Sequence, residues 1–196
     1  AWAQLLSWTA TSRQQLDLVA GLLGGVVEVP GLAVDTELRW VLLRQLAAAG
    51  RTGEAEIGAE LDRDATEAGR RKAAACRAAI PDAAHKKSAW ELLTSGTLGP
   101  ESVRAVARGF MPPEHAALLE PYAPAYPSAL AEVWDERGGH LRVLLGQVLF
   151  PVPVVSESLL ESLGEFAAAR ADDPGLARML AELADLGARA LRSRAL

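Results

Sequence analysis

The stretch that decides the architecture is Asp35-Thr36-Glu37-Leu38-Arg39-Trp40-Val41-Leu42-Leu43-Arg44-Gln45-Leu46-Ala47-Ala48-Ala49-Gly50. Asp35 is a side-chain acceptor placed where a helix needs an N-cap, and Gly50 is a stop. Wound at 3.6 residues per turn, Leu38, Val41, Leu42 and Ala49 share one face. Thr36, Trp40, Leu43 and Ala47 share a second, with Leu46 beside the first. A helix apolar on two sides packs between neighbours instead of lying on a surface. This is an inner helix of a stacked helical array.

The rest of the chain agrees. Of 196 residues, Ala and Leu supply 69, whereas Val, Ile and Thr supply 23. That balance favours helix over strand and excludes both a sandwich and a Val/Ile-rich parallel sheet. Half the residues are hydrophobic and 23% are charged, so the chain is not disordered. A chain of this length buries roughly 70% of its unfolded surface.

Punctuation sets about ten helices. Ser12 caps a helix ending at Gly24-Gly25. Residues 26–34 hold the only candidate strand, Val26-Val27-Glu28-Val29, which reads as a connector. A short helix starts at Gly53, another opens at Asp64 or Thr66 and runs to Ile80, and the segment after Pro81 carries Trp90, Leu92 and Leu93. Gly99-Pro100-Glu101, Pro112-Pro113-Glu114 and Tyr126-Pro127-Ser128 each read as a helix start. Gly138-Gly139 precedes a helix that Pro151 and Pro153 end. Ser156 caps the next, with Val155 and Leu160 as a hydrophobic staple. Asp173-Pro174 opens the last, striped by Leu176, Met179, Leu180, Leu183, Leu186 and Ala190. Short connections make neighbours antiparallel, and pairs recur every 30–40 residues without a strict repeat. The expected fold is therefore all-α: residues 1–196 form a single domain, a curved HEAT-like array of antiparallel helix pairs.

The net charge of −5 argues against a nucleic-acid partner, and Arg70-Arg71-Lys72 beside Glu67 reads as a solvated helix face. No apolar run is long enough for a membrane span. One cysteine, Cys76, permits no internal disulfide, which suits a cytoplasmic location. The chain opens on Ala1 without a basic n-region and reads as a piece of a longer protein.

Catalytic patterns do not form. His85, His115 and His140 lie too far apart for a helical zinc pair and are expected on the surface. There is no Gly-x-Ser-x-Gly elbow and no phosphate loop; Gly21, Gly24 and Gly25 follow no strand. Cys76 lies in an alanine-rich helix and reads as a buried, inert thiol. Trp2, Trp8, Trp40, Trp90 and Trp134 are expected in the core. Tyr122 and Tyr126, in Pro121-Tyr122-Ala123-Pro124-Ala125-Tyr126-Pro127, are expected on a loop able to touch a ligand.

Three blocks carry a family resemblance. The first is Val34-Asp35-Thr36-Glu37-Leu38-Arg39-Trp40 with Leu42-Leu43 and Ala48-Ala49-Gly50-Arg51. The second is Ala73-Ala74-Ala75-Cys76-Arg77-Ala78-Ala79-Ile80-Pro81 with Ala89-Trp90. The third joins Gly109-Phe110, Leu118-Leu119-Glu120-Pro121-Tyr122, Tyr126, Leu130 and Val133-Trp134. In order, they resemble the endoplasmic-reticulum-aminopeptidase-like C-terminal helical domain of actinobacterial aminopeptidases N, in the M1 zinc metallopeptidase family.

The resemblance implies a non-catalytic domain of a peptidase whose zinc lies in a separate catalytic domain of the same polypeptide. Such a domain caps the active site and walls the chamber that admits peptide substrates. Neither His-Glu-x-x-His nor a Gly-Ala-Met-Glu-Asn type motif occurs here, so no catalytic and no metal residue is carried over. The candidate peptide-chamber contacts are Tyr122, Tyr126 and Arg39. Two alternatives are a free-standing helical repeat scaffold that binds a partner protein, and the ligand-binding domain of a transcription regulator. The second needs a basic helix-turn-helix, which is not evident.

Overall fold

The computed structural model describes residues 9–136 and 138–195. Trp2 and Trp8, expected in the core, lie outside the described residues, as does Leu196. The described chain is all-helical, with eleven α-helices, two 3-10 turns and no strand. Two compact units are formed, one from residues up to Ala89 with Ala105–Phe110, the other from Trp90–Arg104 with Met111 onward.

In the first unit the helices are α1 (Arg13–Gly24), α2 (Thr36–Ala48), α3 (Glu54–Arg63) and α4 (Glu67–Ala79), with parts of α5 (Ala83–Thr94) and α6 (Pro100–Phe110). Their ends are fixed locally. The Ser12 hydroxyl accepts from the Gln15 N–H while the Gln15 amide oxygen accepts from the Ser12 N–H, a reciprocal cap. Gly25 ends α1 at φ +72°, a left-handed conformation that costs glycine nothing. The Asp35 carboxylate accepts from the Leu38 N–H at 2.9 Å, and the Thr66 hydroxyl from the Gly69 N–H at 3.0 Å. Residues 26–34 form a connector, as the sequence suggests.

Helix α2 is two-faced, as read. Leu38, Leu42 and Leu46 join Leu16, Val19 and Leu22 of α1 in one cluster. Trp40 and Leu43 join Ile57, Ala73 and Cys76 in another. Thr36 and Ala49, assigned to those faces, are exposed at the helix ends, and Val41, assigned to the first face, is half-buried and lies outside its cluster. Trp40 is 3% exposed, and its indole N–H donates to Asp64 at 2.9 Å. Each fully buried side chain of Leu or Ile size contributes about 1.5–3 kcal/mol, so α2 anchors this unit on both sides. Gly109 of α6 lies so close to α4 that an added Cβ would sit 2.0 Å from the Ala75 carbonyl oxygen.

In the second unit, Pro113–His115 forms a 3-10 turn and α7 (Ala116–Leu119) only a single turn, so Pro112-Pro113 opens less helix than expected. Helix α8 spans Tyr122–Glu136 with Pro127 inside it, which corrects two expectations. Pro127 does not start the helix, and Tyr122 and Tyr126 are helical, not loop residues. The apolar face Ala123, Tyr126, Leu130, Val133 and Trp134 continues through the proline and is buried. That burial outweighs the one backbone bond that proline removes near the helix start.

Helices α9 (Gly139–Leu149), α10 (Glu157–Ala169) and α11 (Pro174–Arg194) complete this unit. Along α11 the buried residues are Leu176, Met179, Leu180, Leu183 and Gly187. The stripe therefore closes on Gly187, and Leu186, expected within it, is 38% exposed. Gly187 fits because an added Cβ would meet Leu160, Val155 and Phe150. Both staple residues thus pack on α11.

Candidate functional site

The three expected contact residues differ sharply. Arg39 belongs to the first unit, the two tyrosines to the second. From α2, the Arg39 Nε and Nη2 donate to the two carboxylate oxygens of Glu60 at 2.7 Å each, and Nη1 donates to the Leu23 carbonyl at 3.0 Å. This bidentate pair holds the Glu60 carboxylate, whose side chain is 6% exposed, and raises the Arg39 pKa further. Arg39 lines an open groove of about 750 Å³ with Arg63, Glu28, Val27 and Leu32. Its own charge is already balanced there.

Tyr126 has no exposed surface, and its hydroxyl donates to the Gly146 carbonyl at 2.7 Å. Burial pushes the phenol well above its ordinary range. Its ring stands edge-on to Phe150 at 5.5 Å. Tyr122, four residues earlier on the same helix, is half-buried, with its ring centroid 5.0 Å from that of Trp90. Burial and the Glu91 carboxylate raise its pKa. Of the pair, only Tyr122 reaches the surface.

The histidines are dispersed. His85 meets Asp82 at 2.9 Å on the surface, and His140 is exposed. His115, expected on the surface, is 6% exposed because the turn at Pro113–His115 carries it inward. Cys76 is buried as read, and burial pushes its thiol up to about 12, so no reactive thiolate forms near neutral pH. Among the described residues, no group of three or more His, Cys, Asp or Glu side chains gathers around a point that a metal ion could occupy.

A second, smaller groove of about 120 Å³ was not foreseen. Helix α2 supplies Glu37, Trp40, Val41 and Arg44, α4 supplies Lys72 and Ala75, and α6 supplies Ala105 and Arg108. The Lys72 ammonium donates to Glu37. Arg44, Lys72 and Arg108 thus surround an apolar floor with one carboxylate among them, in a chain of net charge −5. Lys72, assigned to a solvated face, is a groove wall with its side chain 24% exposed. The sequence signal was faint: three cations on three helices, 28 to 36 residues apart.

These features define a helical domain whose accessible chemistry is charge and apolar surface on helix faces. The chain belongs to the ERAP1-like C-terminal domain family, whose model matches residues 3–188. Over all 196 residues it is 40% identical to Aminopeptidase N of Streptomyces lividans, and it spans 23% of that protein's length.

Proposed function

We propose that this chain is the non-catalytic C-terminal domain of an M1-type zinc aminopeptidase, capping the active site and walling the chamber through which peptides enter. The observation that carries this reading is the 40% identity over the whole chain to an aminopeptidase N that extends well beyond it. The free-standing scaffold reading has no comparable support. Residues 1–196 act as one domain attached to the catalytic domain of the same polypeptide, in the cytoplasm. No helix among the described residues is long and apolar enough to cross a membrane.

In this reading the zinc belongs to the catalytic domain, where it supplies a Lewis acid and an activated water. The described residues here do not fit a zinc site, and no chemical step is assigned to them. Their part is physical. A helical wall excludes bulk water and folded proteins from the site, which strengthens the electrostatics inside. Tyr122 and Arg39 are the proposed chamber contacts, and Tyr126 acts from within by fixing α8.

The test removes these 196 residues from the full polypeptide. Metal content is expected to persist, while turnover of peptides of several lengths falls far more than turnover of an aminoacyl-nitroanilide. Full turnover on every peptide length would overturn the chamber role.

A further inference from the structure

We infer that the basic groove between α2, α4 and α6 is a docking socket for one Asp or Glu side chain from the part of the polypeptide outside residues 1–196. The inference rests on the reading above only in taking this chain as attached to a larger polypeptide.

Size comes first. At about 120 Å³ the groove has room for roughly one acidic side chain. Charge comes second. Arg44, Lys72 and Arg108 face the space, and Glu37, already bonded to Lys72, is the one carboxylate among the lining residues. Arg108 is exposed and forms no salt bridge among the described residues. A carboxylate placed here gains charge-assisted bonds while its methylenes cover Trp40, Val41 and Ala75.

The backbone then selects the occupant. Most of the lining residues lie inside helices, where main-chain N–H and C=O groups are spent on the helical ladder; the exceptions are the Glu37 N–H in the first turn of α2 and the Arg108 carbonyl in the last turn of α6. Such a wall offers little main chain for an extended peptide to pair with. It reads side-chain charge and shape, as presented by an already folded surface. On the reading above, the rest of a longer polypeptide would present such a surface covalently, at the high effective concentration of an attached domain.

The experiment uses the full polypeptide and a zero-length carbodiimide, which joins an ammonium to a carboxylate in contact. Glu37→Gln removes the local competitor for Lys72 and is expected to expose a cross-link from Lys72 to an Asp or Glu outside residues 1–196, located by mass spectrometry. Adding Arg108→Glu is expected to lower its yield about tenfold, and raising salt to lower it further, as for a charge-steered contact. Arg108→Lys is expected to restore most of it. Circular dichroism checks that each variant keeps its helix content, since Glu37 and Arg108 are both exposed.

Three results would overturn the inference. Lys72 in the Glu37→Gln background joins nothing outside residues 1–196. The cross-link survives Arg108→Glu at full yield. A short acidic peptide added in trans captures Lys72 in preference to the attached chain, which would make the occupant a soluble peptide. Peptide-length dependence of turnover, measured on the same variants, reads the chamber role separately. A missing cross-link with length dependence intact defeats the socket alone, and the reverse defeats the chamber alone.

Discussion

The two units solve the same packing problem with different chemistry. Each ties a buried tryptophan to an aspartate just ahead of a helix: Trp40 donates to Asp64 at 2.9 Å, and Trp134 to Asp173 at 2.8 Å. Beyond that they diverge. The first unit buries charge. The Lys86 ammonium is fully enclosed and donates to the carbonyls of Ala78, Phe110 and Gly109 at 2.7, 3.0 and 3.3 Å. Those carbonyls close α4 and α6, where the helix dipole favours a cation. Among the described residues, the fully buried polar group of the second unit is a neutral phenol, Tyr126, whose ring meets Phe150. Its close approaches are made by glycines against side chains. The contrast is that the first unit encloses a full charge between two helix ends, whereas the second encloses a neutral hydroxyl.

The strongest way to break this contrast is to remove its charge. Lys86→Met leaves carbonyls buried without their ammonium and is expected to cost about 3–5 kcal/mol. Tyr126→Phe keeps the ring and loses one hydrogen bond, an expected cost of about 1–2 kcal/mol. Urea midpoints at unchanged slope would measure both. Equal losses would mean that the charge in the first unit is no more critical than a hydroxyl. Trp40→Ala serves as a calibration at about 3–5 kcal/mol, the range for large core truncations; a loss under about 1 kcal/mol would contradict its burial.

Lys86 also shows where sequence reading stops. His85-Lys86-Lys87 looks like ordinary surface charge, and Lys87 is indeed exposed. What buries Lys86 are two helix ends, at Ala78 and at Gly109-Phe110, distant in the chain and converging only in three dimensions. Caps and stops were legible because they are local. Ser12, Asp35, Thr66, Ser156 and Asp173 each hold the N–H their position demands. At Pro127 a proline and an apolar periodicity compete, and the periodicity wins. The buried spacing of Ala123, Tyr126, Leu130, Val133 and Trp134 was present in the sequence and carries the helix past the proline. The basic groove was hidden for the same reason as Lys86, since each of its cations comes from a different helix.

A smaller effect sharpens the contrast at the glycines. An alanine Cβ at Gly109 would sit 2.0 Å from the Ala75 carbonyl oxygen, a rigid atom of α4. At Gly146 it would meet the terminal Sδ and Cε of Met179 at 2.8 Å and Leu130 at 3.0 Å. Backbone cannot yield without separating two helices, but a methionine end can turn. Overpacking typically costs about 1–3 kcal/mol, so Gly109→Ala is expected at or above the top of that range and Gly146→Ala near the bottom. Comparable thermal midpoints for the two variants would show that the Met179 end yields no more readily than the α4 backbone.

The smallest expected effect separates the two tryptophan–aspartate ties, and it depends on pH. Both carboxylates have folded pKa values below the ordinary range. For Asp64 the first cause is the hydrogen bond from the Thr66 hydroxyl, then that from Trp40; Lys72 adds attraction. For Asp173 the first cause is the Leu176 N–H, then Trp134, with Arg142 adding attraction. A depressed folded pKa means that the unfolded chain binds the proton first. The stabilisation is therefore present above the unfolded aspartate value near about 3.9 and is lost as pH falls through the folded values. Asn cannot titrate, so Asp64→Asn and Asp173→Asn should each flatten the fall in urea midpoint between about pH 4 and pH 2. The flattening should be greater at Asp173. That side chain caps α11 and accepts from a fixed amide, whereas Asp64 leaves capping of α4 to Thr66, whose hydroxyl is free to turn when the carboxylate protonates. Equal flattening would mean that the hydroxyl is held as rigidly as the helix amide, and the two ties would then be one device used twice.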